Sequence, residues 1–156
     1  MILYRFSHIK YAGELSGEGA KLKGGRWNPV GLPVVYTSGN ISLALLEILA
    51  NATTLEELQM IRLTEIDIPG TPDSHEIKLQ NLKKNWQQDF DYTQWMGQEI
   101  IRAGNSLIVQ CPSAIVPREK NYLINPGHPD FKKIKVVVSD FYFDERLFKS
   151  RVTDDR

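Results

Sequence analysis

Between residues 12 and 33 the chain carries Gly13, Gly17, Gly19, Gly24, Gly25, Gly31, Pro29 and Pro33. No regular element survives that density of backbone breakers, so the segment is expected to be one long loop. A loop of that length inside a compact domain is either disordered or functional. This one carries Arg26, Trp27 and Asn28 directly after two glycines, and a guanidinium beside an indole favours function.

Strand signals bracket the loop. Ile2 to Phe6 reads as a short strand that must lie inside a sheet or be tied to one, and Val34 to Thr37 as a second. Ser38-Gly39-Asn40 supplies a turn and a helix N-cap, so a helix is expected over 41–50. Thr53 or Thr54 starts a further turn of helix before Leu55-Glu56-Glu57-Leu58. Strands are expected over 60–68, 75–79, 106–110, 122–125 and 134–143, and a helix over 93–103 with Gly104 as its stop. Six strands, or seven with the short one over 75–79, and two or three helices in no regular alternation predict an α+β fold. Its core would be a small mixed or antiparallel sheet. At 156 residues with 42% apolar composition, the chain is one domain's worth, residues 1–156, with a polar, frayed tail over 150–156.

Charge and composition exclude several function classes. Nineteen basic residues balance nineteen acidic ones, which argues against a nucleic-acid-binding module or a ribonuclease. Apolar runs such as Ile48 to Ala50 and Val136 to Val138 fall far short of the roughly 20 residues of a membrane span. The N-terminus lacks signal-peptide character, so a cytoplasmic location is expected. The single cysteine, Cys111, is read as a core or strand-end thiol. His8, His75 and His128 lack ligand spacing, and no metal site is expected.

The most informative side chain is Glu47. Leu43 to Ala50 is apolar on every side of its helix except at this carboxylate, and a helix apolar all round is expected to be largely buried. Glu47 must therefore reach solvent through a gap, pair with a cation, or line a cleft where a carboxylate serves acid–base chemistry. Arg26 is suited to hold a phosphate or carboxylate, its glycines allowing close backbone approach to a ligand; it is equally suited to stack on Trp27. Tyr36 precedes the Glu47 helix, so its ring can lie over the same cleft or belong to the core. Ser113, between Pro112 and Ala114, is expected as an exposed hydroxyl at a sheet edge, a ligand contact rather than a nucleophile, since no Gly-x-Ser-x-Gly elbow surrounds it. Trp86 and Trp95, near Phe90, Tyr92 and Met96, form a core stripe or an interaction surface.

Taken together, Gly24-Gly25-Arg26-Trp27-Asn28, Val35-Tyr36-Thr37-Ser38, Ser42 to Glu47, Pro112 to Pro117 and Asn121 to Pro129 resemble the RES domain family, in order and spacing, with Phe143 to Leu147 closing the pattern. The resemblance spans essentially the whole chain. It implies an ADP-ribosyltransferase-like fold and a toxin of a type II toxin–antitoxin pair, neutralised by an antitoxin with an Xre-type helix-turn-helix domain. It also implies NAD+ as substrate, with no prosthetic group. Arg26, Tyr36, Glu47 and Ser113 match the family's active-site pattern, with Glu47, Arg26 and Tyr36 as catalytic residues. Arg26, Tyr36, Ser113, Arg5 and Asn121 are carried over as NAD+-binding residues. Where the family often has a histidine after its glutamate, this chain has Ala50-Asn51, and Cys111 stands where valine is common.

The implied chemistry is cleavage of the nicotinamide–ribose bond, depleting cellular NAD+ and arresting growth. Glu47 would stabilise an oxocarbenium-like state or orient water, Tyr36 stack on nicotinamide, Arg26 neutralise the pyrophosphate and Ser113 bond nicotinamide or ribose. Mono-ADP-ribosylation of a specific protein uses the same donor chemistry with another acceptor. A non-catalytic binding module would instead hold Arg26 and Glu47 in a structural ion pair. A homo-oligomer is compatible with the Trp86 to Met96 region as a contact surface.

Overall fold

The strand predicted at the N-terminus runs from Ile2 to His8 (β1) and occupies the interior of a seven-stranded sheet in a computed structural model that describes residues 1–52 and 54–148. The other strands are β2 (Val35–Ser38), β3 (Ile61–Asp67), β4 (Ser74–Glu76), β5 (Ile108–Pro112), β6 (Lys120–Ile124) and β7 (Lys135–Ser139). They lie in the order β4-β5-β6-β2-β1-β3-β7, antiparallel throughout except for the parallel β4–β5 pair. Four helices, α1 (Glu18–Lys23), α2 (Ile41–Leu49), α3 (Leu55–Gln59) and α4 (Phe90–Ala103), complete an α+β fold among the described residues.

Pairing is uneven across the sheet. β1 and β3 share an unbroken ladder from Ile2↔Asp67 to His8↔Ile61, whereas β1 and β2 meet at the single pair Tyr4↔Ser38. The sheet is thus two well-paired parts, β4-β5-β6-β2 and β1-β3-β7, joined at a narrow seam. Period-two alternation assigns the core. Val109, Cys111 and Leu123 face Trp27, Trp86 and Ile101, while Ile108, Ile124 and Val35 face the other way with Leu3 and Ile66. Phe6 and Leu63 pack under Ala44 of α2 and Leu58 of α3. The apolar strand positions that alternate in sequence are therefore those buried in space.

The glycine-rich segment is not loop throughout. α1 forms between Gly17 (φ 75°) and Gly24 (φ 70°), because two of the breakers fall just outside the helix at its two ends, in positive-φ conformations that glycine adopts freely. Glu18 in the first turn and Lys21 and Lys23 in the last suit the helix dipole. The strand predicted to end at Phe143 stops at Ser139, where its pairing with β3 ends at Leu63. Arg62 Nε holds Asp140 at 2.7 Å. The chain then folds back so that Phe141 and Phe143 sit 4.8 and 5.4 Å from the Phe6 ring.

Smaller shifts have local causes. α4 begins before Thr93 because the Asp89 side chain accepts the Tyr92 N–H at 3.0 Å and caps it earlier. Gly104, in the left-handed region, ends it as predicted. Asn40 caps α2 by accepting the Leu43 N–H at 2.7 Å, and Thr54 caps α3 by accepting that of Glu57 at 3.3 Å. β5 runs on through Pro112, which pairs with Lys120. The strand expected over 75–79 is confined to β4, and Leu79 opens a 3₁₀ turn. α2 is less buried than its composition predicts: Leu43 and Ala44 are buried, but Leu46 is 42% exposed. Thr53 and the predicted tail over 150–156 lie outside the described residues.

Candidate active site

Tyr36 and Ser38 are two apart on β2 and must share a face. Register pairs Ser38 with Asn121 on β6, and Asn121 with Cys111 on β5, extending that face across three strands. α2 follows β2 by a short turn and delivers Glu47 over the same face. Asn121 Nδ2 donates to Glu47 Oε1 at 2.6 Å and Ser113 Oγ donates to the same oxygen at 2.9 Å. One carboxylate oxygen is thus held by two donors. Oε2 has no hydrogen-bond partner among the described residues and is not sealed from solvent, since the buried orphan among described side-chain polar atoms is Ser7 Oγ.

Ser113 departs from expectation. It is fully buried rather than exposed at an edge. Its oxygen accepts the N–H groups of Ile115 and Val116, both at 3.1 Å, while its hydrogen goes to Glu47. A hydroxyl has one donor and two acceptor sites, so Ser113 is saturated by the protein and acts as a fixed donor aimed at Glu47.

The loop carrying Arg26 is organised by Asn28, which is wholly buried. Asn28 Nδ2 reaches the carbonyls of Ala20 at 2.9 Å, Leu32 at 3.0 Å and Pro29 at 3.2 Å. Its Oδ1 accepts the Tyr36 hydroxyl at 2.6 Å, and that hydroxyl accepts the Trp27 N–H at 3.0 Å. Tyr36 is a strut between β2 and the loop, and burial pushes its phenol well above the usual tyrosine range. A Cβ on Gly25 would stand 2.5 Å from the Tyr36 oxygen. Gly25 therefore makes room for this strut, not for the approach of a ligand. α4 buttresses the loop: Gln94 Nε2 donates to the Gly25 carbonyl at 2.8 Å, and Gly97 lies directly against the Trp27 backbone.

Arg26 lies at the loop's edge. Its guanidinium stacks 4.7 Å from the Phe90 ring centroid and 5.8 Å from that of Trp86, and Nη1 donates to the Gln87 carbonyl at 2.6 Å. Among the described residues no ion pair joins it to Glu47, so the structural pair required by a purely binding module is not formed. Both charges act on Cys111 between them. Burial raises this thiol's pKa most, Glu47 raises it further and Arg26 opposes. Two hollows open on the surface of the described residues. One of about 580 Å³ is lined by Lys83, Lys84 and Phe90, the stacking partner of Arg26. Another of about 380 Å³ is lined by Pro112 and Lys120, chain neighbours of Ser113 and Asn121.

Arg5 is not brought to this face. It alternates with Tyr4 and Phe6, so it points to the other side of the sheet, where Nη1 donates to the Glu14 carbonyl at 3.1 Å and burial lowers its pKa. Asn51, standing where the family often has histidine, donates to the backbone carbonyl of Glu47 at 3.1 Å. The Trp86 to Met96 region divides, with Trp86 in the core and Trp95 58% exposed. Among the described residues no three His, Cys, Asp or Glu side chains gather to hold a metal ion, and no helix is long and apolar enough to cross a membrane. Two residues of the site carried no individual assignment in the sequence, Asn28 and Ser38. Ser38 was within reach, being two residues from Tyr36 on one strand.

The site thus sets a carboxylate with one oxygen clamped by Ser113 and Asn121 on the sheet face bordered by the loop of the stacked Arg26. The RES domain pattern matches residues 2–145, and the chain belongs to this family. It is 39% identical to Toxin Res of Photorhabdus laumondii, covering 97% of this chain and 99% of that protein. It is 37% identical to Toxin Res of Pseudomonas putida, with 95% and 100% covered. The Prs ADP-ribosylating toxin of a Sphingobium species is 36% identical over 88% of this chain and 89% of that one. The fold matches a chain in the crystal structure of the M. tuberculosis MbcT–MbcA toxin–antitoxin complex with a TM-score of 0.69, at 22% identity, over 89% of this chain and 84% of that one. The molecule is a RES-family toxin.

Proposed function

We propose that this toxin cleaves NAD+ at the nicotinamide–ribose bond and that Glu47 supplies the decisive charge. The observation that carries the reading is the asymmetry of the carboxylate, with Oε1 held by Ser113 and Asn121 and Oε2 open. As the C1′–N bond breaks, nicotinamide leaves as a neutral base with the bonding electron pair, and positive charge develops on the ribose. Oε2 faces that charge without having to reorient, which is how preorganised groups accelerate such a step. Water then adds to C1′ and loses a proton, giving ADP-ribose. Arg26, one N–H already spent on Gln87, keeps others for the pyrophosphate. Tyr36 acts by holding the loop that bears Arg26, and its ring, partly exposed, is the surface offered to nicotinamide. Ser113 and Asn121 serve the ligand through Glu47. Arg5, directed to the opposite face, is given no part.

A second reading is favoured by the ADP-ribosylating toxin among the relatives. There the same cleavage delivers ADP-ribose to a side chain of a target protein instead of to water. In either case the partner is expected to be an antitoxin covering the Glu47 face, of the Xre type that the RES resemblance implies; the fold shared with a chain of a toxin–antitoxin complex supports an antitoxin partner. Total NAD+ followed over minutes after inducing the chain without its antitoxin tests the reading. A rapid fall that is lost in Glu47→Gln is expected. Growth arrest at constant NAD+ would favour the transferase, and a toxic, folded Glu47→Gln protein would remove Glu47 from the chemistry.

A further inference from the structure

We infer that Ser38 is a positioning residue of the site, anchoring the Asn121 amide in the orientation that serves Glu47 and through it holding the aim of Glu47; this rests on Glu47 being the reacting carboxylate. The chemistry of the groups fixes the direction of every bond. An ionised carboxylate only accepts, so the Asn121 atom 2.6 Å from Glu47 Oε1 is the Nδ2 donor. That turns Oδ1 toward Ser38, and an amide oxygen only accepts, so the hydrogen in the 2.7 Å Ser38 Oγ to Asn121 Oδ1 contact belongs to serine. The relay runs from Ser38 hydroxyl to amide to carboxylate without a break.

The alternative arrangement is costly. If the amide flipped, Oδ1 would face Oε1, acceptor against acceptor, and the Glu47 oxygen would lose one of its two donors. Asn121 alone does not choose between these orientations, since its two ends are nearly the same size. The acceptor-only Glu47 oxygen makes the choice, and Ser38, donating to the amide's other end, is well placed to hold it: it is 3% exposed and belongs to a cross-strand row whose register joins β1, β2 and β6. Its backbone is paired with Asn121 on one side and with Tyr4, at the narrow seam of the sheet, on the other. The site's aim is thus tied to the place where the two parts of the sheet meet.

The test is a double-mutant cycle on the purified full chain, with nicotinamide release from NAD+ as the readout. Ser38→Ala is expected to lower kcat by about 3- to 10-fold, the worth of one hydrogen bond, with KM for NAD+ changed less than about twofold. In an Asn121→Ala background the same substitution should change kcat by less than about twofold, because its route to Glu47 is gone. Ser38→Thr, which restores the hydroxyl, should recover most of the rate. Equal losses in both backgrounds, an effect on KM alone, or no loss would overturn the relay. If Ser38→Ala does not fold, Ser38→Cys, close in size but a weak hydrogen-bond donor, takes its place in both backgrounds with the same expected outcomes. The two ideas separate cleanly: an active Glu47→Gln protein removes the reading of the site, whereas an inactive one together with an indifferent Ser38→Ala removes the relay alone.

Discussion

A single oxygen of Glu47, the one carboxylate of an otherwise apolar helical run, takes donors from Ser113 and Asn121, far beyond it in sequence, and bonds of that kind leave no local trace. Ser113 illustrates the limit: a serine after Pro112 reads as exposed, yet the turn at 113–116 folds two N–H groups onto its oxygen and buries it. Gly25 was read as room for a ligand and is room for the Tyr36 hydroxyl. Gly25→Ala should break the Tyr36–Asn28 bond and cost about 1–3 kcal/mol in urea unfolding, with activity falling as Arg26 is displaced. Cys111, buried and held above the usual thiol range, is expected to resist alkylation in the native protein near pH 8 and to react at once in denaturant. Native-state labelling at the unfolded rate would contradict its placement.

Among the elements, α4 does most to shape the site while carrying none of its reacting groups. It meets the loop at Gly97, where a Cβ would stand 1.8 Å from the Trp27 carbonyl oxygen, a backbone atom that cannot swing away. Gly97→Ala should therefore destabilise the fold by about 1–3 kcal/mol and lower activity through the loop. A chemical denaturation midpoint unchanged from the parent chain would refute that contact. Asp89, capping the same helix, is held below its ordinary pKa by the Lys83 ammonium and by the Tyr92 N–H. A depressed carboxylate contributes stability above its ordinary range and loses it as pH falls through its folded value. Asp89→Ala should therefore lower the melting temperature at pH 7, and the difference should shrink as pH falls below the ordinary aspartate range. The start of α4 and the end of β7 were misjudged from sequence for the same reason. A cap and a lost partner strand, not propensity, set those boundaries.

At the scale of the whole molecule, the α+β class, the interior first strand and the capped α2 follow from patterns within a few residues of one another. The seam does not, since its single Tyr4↔Ser38 pair depends on how two independently twisted parts of the sheet meet. The proposed site lies beside that join, where β2, β6, α2 and the turn after β5 bring Ser38, Asn121, Glu47 and Ser113 together, and Tyr36 on the same strand holds the loop that carries Arg26. The most direct test of the account is nicotinamide release from NAD+ by the purified chain, measured side by side with Glu47→Gln at equal concentration and with matched circular dichroism. The account predicts release by the parent chain, with or without a protein acceptor, and a loss of roughly 10²–10³ in the variant. Release at the parental rate by a folded Glu47→Gln protein would contradict it.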